Sequence, residues 1–151
     1  MMSTRDFVFK WVPVIAWMIL IFVGSTDVLS AEHTSRYLAP FLRWLDPHIS
    51  FPTIAHVNIL LRKLGHLTEY GILAALLWSA LRVTLRSISM STIAVVALVI
   101  CAVFAASDEF HQSFVPSRTP SENDIMIDIC GAILGLTICL LLAQRKQARK
   151  V

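Results

Sequence analysis

From Ile125 to Ala143 the chain reads IMIDICGAILGLTICLLLA, a run in which Asp128 is the one charged residue. A helix rises about 1.5 Å per residue, so about 20 such residues cross a hydrocarbon core about 30 Å thick. Backbone groups in lipid must bond within their own segment, which makes helix the natural form of the run. Three more apolar stretches accompany it: Trp11–Gly24, starting near Phe7; His66–Leu81; and Ser87–Ala106. The last of these has spanning length, whereas Trp11–Gly24 and His66–Leu81 reach it only with their polar flanks. The composition agrees. Of 151 residues, 56% are hydrophobic and 15% charged, against about 25% charged in a soluble domain, and the mean hydropathy is +0.70. The expected fold is all-α: a polytopic membrane protein forming a four-transmembrane-helix bundle. Its helices are placed at about 7–24, 64–81, 87–108 and 124–143, in a single domain spanning 1–151.

Basic residues set the orientation. Arg5 and Lys10 precede the first stretch, Arg82 and Arg86 follow the second, and Arg145, Lys146, Arg149 and Lys150 follow the fourth. The opposite side carries Arg36, Arg43, Arg62, Lys63 and Arg118, spread through longer loops. The richer side is the cytoplasmic one, so both termini are expected in the cytoplasm of a multi-pass protein of the bacterial inner membrane. The net charge of +3 then reports topology and gives no reason to expect a nucleic-acid partner. An uncleaved first helix is favoured over a signal peptide, because no small-residue cleavage site follows Gly24. In the first outer loop, SRYLAPFLRWL repeats apolar residues at helical spacing, which predicts an interfacial segment on the outer leaflet, bent or begun at Pro40. Cys101, Cys130 and Cys139 all lie in apolar stretches, with no metal spacing and no evident disulfide pairing.

The polar residues are concentrated at one boundary. At 100° per residue, Lys63, His66 and Tyr70 share a face of the second helix, with Glu69 at its edge. Asp108, Glu109 and Gln112 close the third helix, and Asp124 and Asp128 open the fourth, one turn apart. Below these aspartates, on the same face, Gly131 and Gly135 form a Gly-x-x-x-Gly, a spacing that lets membrane helices approach closely. Ionisable residues at membrane depth cost free energy and normally face partners or a cavity. An outward-facing polar pocket built from the second, third and fourth helices is therefore expected. In it, His66, Glu69, Glu109 and Asp124 are candidates for proton chemistry. Lys63 and Arg118 would hold an anion, Tyr70 and Gln112 would orient it, and Asp128 would support Asp124.

The same residues resemble the VanZ-like family of membrane proteins. KLGHLTEY supplies a Lys-x-x-His-x-x-x-Tyr helix start at Lys63, His66 and Tyr70. EFHQSFVPSRTPSENDIMIDICGAILG supplies Glu109, Gln112, Arg118, Asp124, Gly131 and Gly135 in the family's order. One position departs from that pattern: Asp128 stands where the family usually has Asn. The likeness runs from about Lys63 to Gly135, and helix 1 with its loop matches only in general character. It implies a small helical protein of the bacterial envelope, some of whose relatives lower glycopeptide susceptibility, and it implies no particular reaction. SRTPSENDIMID also resembles the Ser-Arg-x5-His-x3-Asp motif of type 2 phosphatidic acid phosphatases, but carries Asp124 in place of the phosphorylated His.

Several functions fit this reading. The pocket can process a membrane lipid or a lipid-linked envelope precursor. It can bind such an anionic ligand without turnover, which agrees with the lack of a recognisable nucleophile–base–orienter order in the sequence. A third possibility is a structural lock between helices. Metal binding by His66, Glu69, Glu109, Asp124 and Asp128 has no supporting ligand spacing, and no cofactor is expected. Polar residues are sparse in the inner halves of the helices, which argues against an ion path.

Overall fold

The computed structural model describes residues 4–26, 31–116 and 121–149, and those residues are all helix, turn and loop with no strand. Five helices follow in order: α1, Thr4–Gly24; α2, Ala31–Leu45; α3, Phe51–Thr84; α4, Met90–Gln112; and α5, Glu122–Ala148. Three of them, α1, α4 and α5, are long and apolar enough to cross a membrane. Their large apolar side chains point largely outward, among them Phe9, Ile19, Val103 and Leu142. A surface of that kind suits a lipid solvent. Four spans were expected. α3 does not qualify alongside the other three because the polar band Arg62–Tyr70 interrupts its apolar run.

α3 is also much longer than the expected 64–81. Ser50 caps it, its side chain accepting from the Thr53 backbone N–H, and Pro52 sits in the first turn, where a missing N–H costs nothing. With 34 residues it extends about 51 Å, well beyond a bilayer core. α2 packs against the overhanging N-terminal half, where Asn58 Nδ2 donates to Ser35 Oγ at 2.5 Å. Pro40 lies inside α2, which continues past it to Leu45.

α3 forms the centre of the bundle and touches each of the other helices. Tyr70, Leu73, Ala74 and Leu77 are almost wholly buried and join Val14 and Ile21 of α1, Ala97 and Cys101 of α4, and Ala132 of α5 in one core. α1 runs antiparallel to α3. Lys10 Nζ donates to Ser79 Oγ, Trp11 Nε1 to Thr84 Oγ1, and Trp17 Nε1 to the Glu69 carbonyl at 2.9 Å. α5 runs parallel to α3 at very short range. A Cβ on Gly131 would collide with the Leu67 carbonyl, and one on Gly135 with the Gly71 carbonyl. These glycines give α3 and α5 a backbone-to-backbone seam.

Candidate functional site

The seam fixes the level at which polar side chains of α3 and α5 meet. One turn before Gly131 toward the N-terminus, Asp128 faces His66, with Nδ1 and Oδ1 3.0 Å apart. Asp128 is 1% exposed and His66 is half-buried. An ionised Asp128 can only accept, which places the proton on Nδ1 and, in the neutral ring, leaves Nε2 as the acceptor.

A second polar contact joins the ends of α1 and α4. Ser25 follows the last residue of α1 and is buried. Its hydroxyl donates to Asp108 Oδ2 at 2.5 Å. Gln112, one turn beyond Asp108, donates from Nε2 to the same oxygen at 3.2 Å and approaches Ser25 Oγ at 3.4 Å. Asp108 is 3% and Gln112 1% exposed. The other carboxylate oxygen, Oδ1, has no hydrogen-bond partner among the described residues. A third contact holds the α4–α5 corner: Glu109 Oε1 accepts from the Ser121 backbone N–H. Asp124, half-buried in the first turn of α5, lies next to that corner.

Beside the His66–Asp128 and Ser25–Asp108–Gln112 contacts lies a cavity of about 190 Å³, walled by Ser25, Thr34, Arg62, His66, Glu69 and Gln112, with Gly24, Leu61 and Gly65 completing the lining. Gly65 has nothing within 4 Å of where a Cβ would stand, so its missing side chain is open cavity space and not a packing contact.

The expected site residues fall into distinct places. His66, Glu69 and Gln112 line the cavity, and Asp128 backs His66 where support of Asp124 was expected. Glu109 and Asp124 stand at the α4–α5 corner. Tyr70 is fully buried in the core, its ring 6.2 Å from Phe104, and its hydroxyl has no partner among the described residues. Lys63 is exposed, and the neighbouring Arg62 lines the cavity instead. Arg118 lies outside the described residues. The cavity also recruits α1 and α2 through Ser25 and Thr34, while α5 contributes from behind through Asp128. Among the described residues, no three His, Cys, Asp or Glu side chains come together in a way that could hold a metal ion.

Sequence reasoning passed over Ser25, Thr34 and Arg62 and left Asp108 without a role. Helical arithmetic could have retrieved Arg62, which lies four residues before His66. Nothing local marks Ser25.

The VanZ/LLP1 family model matches residues 9–143. The chain belongs to the VanZ/LLP1 family. No curated protein and no solved structure matches it. The family match reaches back beyond the Lys63–Gly135 likeness and takes in most of α1, all of α2, and Ser25. Every described side chain of this VanZ/LLP1 site therefore lies within the matched span. Chemically, the site combines a cation, a histidine oriented by a buried carboxylate, and a serine hydroxyl bonded to another buried carboxylate.

Proposed function

We propose that this VanZ/LLP1 protein holds the polar group of an anionic membrane-associated ligand, a lipid phosphate or a lipid-linked envelope precursor, in the cavity beside His66. The observation that carries this reading is the way the buried carboxylates are engaged. Asp108, Asp128 and Glu109 each accept from a donor of the protein itself and none of them lines the cavity, where Glu69 is the carboxylate that shares the wall with Arg62. Arg62 lines the cavity as well, and a guanidinium is suited to phosphate or carboxylate oxygens. In this reading the C-terminal half of α3 is a fourth span, both termini are cytoplasmic, and the cavity opens at the outer leaflet of the bacterial inner membrane. The amphipathic α2 lies along that surface, and occupancy of the cavity by an envelope precursor is the link to glycopeptide susceptibility.

Gentle extraction followed by native mass spectrometry tests the reading. A phosphate-bearing lipid should remain on the wild-type chain. Arg62→Ala should weaken its retention by about 10- to 100-fold, the worth of a charge-assisted bond of about 1.5–3 kcal/mol. A folded wild-type chain that retains no phosphate lipid from any mild detergent overturns the proposal.

The helix-lock alternative is favoured by one fact: the buried carboxylate ties join different elements, the end of α1 to α4, α3 to α5, and α4 to the start of α5. Under that reading, variants of the ties lose folding and ligand retention together, and Arg62→Ala changes neither.

A further inference from the structure

The Ser25–Asp108–Gln112 contact is more than an inter-helix tie. A hydroxyl nucleophile becomes reactive when a general base lies within hydrogen-bond reach and a third group fixes the base. Here the Ser25 hydroxyl donates to Asp108 Oδ2 at 2.5 Å, and Gln112 Nε2 holds that same oxygen at 3.2 Å. Two further facts separate this trio from ordinary packing. Ser25 and Gln112 both line the cavity, so the trio stands at its wall. Asp108 Oδ1 is buried without a hydrogen-bond partner among the described residues, although buried polar atoms normally find one.

Depth narrows the substrate class. Ser25 directly follows the apolar helix α1, and Asp108 lies in the last turns of the apolar helix α4. Both therefore stand where an apolar helix gives way to polar chain, which in the topology proposed above is the level at which a membrane lipid carries its ester groups.

We infer that Ser25 is the nucleophile of an acyl transfer, with Asp108 as its general base and a carboxylic ester of a membrane phospholipid as its substrate. The inference rests on the cavity holding the lipid's phosphate. Ser25 Oγ bonds to the ester carbonyl carbon while its proton passes to Asp108. The bond from that carbon to the glycerol oxygen then breaks, and the departing oxygen takes the proton from Asp108. The chain is left carrying an acyl group on Ser25. Water attacks the acyl carbonyl, giving a proton to Asp108. Ser25 Oγ leaves with that proton, and a fatty acid is released. The balance is ester plus water to acid plus alcohol. Arg62, on the same wall, is a cation available to the negative carbonyl oxygen at each tetrahedral stage.

The test uses a long-chain alkyl fluorophosphonate on the full chain in nanodiscs. An activated serine oxygen displaces fluoride from this reagent and keeps the phosphonyl group. One adduct per chain is expected, on the peptide containing Ser25. Asp108→Asn should label about 100-fold more slowly, the lower end of general-base contributions. Vesicles of phosphatidylglycerol and phosphatidylethanolamine should yield free fatty acid with the wild type and not with Ser25→Ala. A folded wild-type chain with no adduct on Ser25 at saturating probe overturns the inference, and this readout needs no variant to fold. Labelling of folded Asp108→Asn at the wild-type rate overturns the role of Asp108. Lipid retention, measured on the same preparations, separates the two proposals. A chain that keeps phosphate lipid but never reacts at Ser25 loses only the acyl transfer. A chain that reacts but keeps no phosphate lipid loses the binding reading on which the substrate assignment rests.

Discussion

His66 both lines the cavity and holds a carboxylate that is 1% exposed. The two roles separate on mutation. His66→Ala removes the donor to Asp128 and leaves a buried acceptor unpaired, which costs about 1–3 kcal/mol. Asp128→Asn keeps an oxygen for His66 Nδ1 and should cost less than half as much. Thermal unfolding in one detergent, with both variants beside the wild type, measures the difference, and equal losses would show that charge and not the hydrogen bond holds the pair. His66 and Asp128 were legible because each sits in a short, regularly spaced motif on its own helix. Their pairing across 62 residues was not, since spacing along one helix says which face a residue occupies and nothing about the helix opposite. Ser25 shows the same limit more severely. Its partner Asp108 is 83 residues away, and a serine after an apolar helix reads like any helix end. Lys63 and Arg62 show how little separates the right face from the wrong one, since adjacent residues differ by about 100° in direction.

Helix by helix, the glycines divide by what surrounds them. A side chain on Gly131 would run into the Leu67 carbonyl, which is backbone and cannot rotate away. Gly131→Leu must therefore push α3 and α5 apart, at a cost of about 1–3 kcal/mol or more, and should separate His66 from Asp128 as well. Gly65 meets nothing within 4 Å. Gly65→Ala should raise stability by up to about 1 kcal/mol, the helix preference of Ala over Gly. Gly65→Leu should leave the melting temperature near that of Gly65→Ala while cutting retention of phosphate lipid, because its side chain projects into the cavity. Unchanged retention in a folded Gly65→Leu chain would place the ligand elsewhere. The α3–α5 seam was foreshadowed by Gly-x-x-x-Gly below two aspartates, a pattern with one plain use between membrane helices. The true start of α3 was also written, in Ser50 and Pro52, but Phe51–Leu61 lies outside the apolar run that defines the span. The ends of α1, α4 and α5 came within a few residues of expectation, since their apolar limits and helical limits nearly coincide.

At the scale of the whole molecule, the arrangement of charges yields a topology that can be measured directly. The end of the bundle holding the cavity also holds the α4–α5 connection, and the opposite end holds the α3–α4 connection with Arg82 and Arg86. In the proposed topology the excess of Arg and Lys on that second end makes it the cytoplasmic one. Ser113 and Ser87 are exposed at the two connections and make suitable reporters. In a chain with Cys101, Cys130 and Cys139 replaced by Ala, Ser113→Cys should react with a membrane-impermeant maleimide applied to intact spheroplasts. Ser87→Cys should react only after the membrane is permeabilised. The opposite result would turn the cavity to the cytoplasm, where lipid-linked precursors displayed on the outer surface cannot reach it. Glycopeptides act outside the membrane, so that result would also break the proposed link to susceptibility. Reaction at both positions in intact spheroplasts would mean that α4 does not span. Ser25 and Asp108, at the end of α1 and in the last turns of α4, would then no longer be held at the level of lipid esters by two crossing helices.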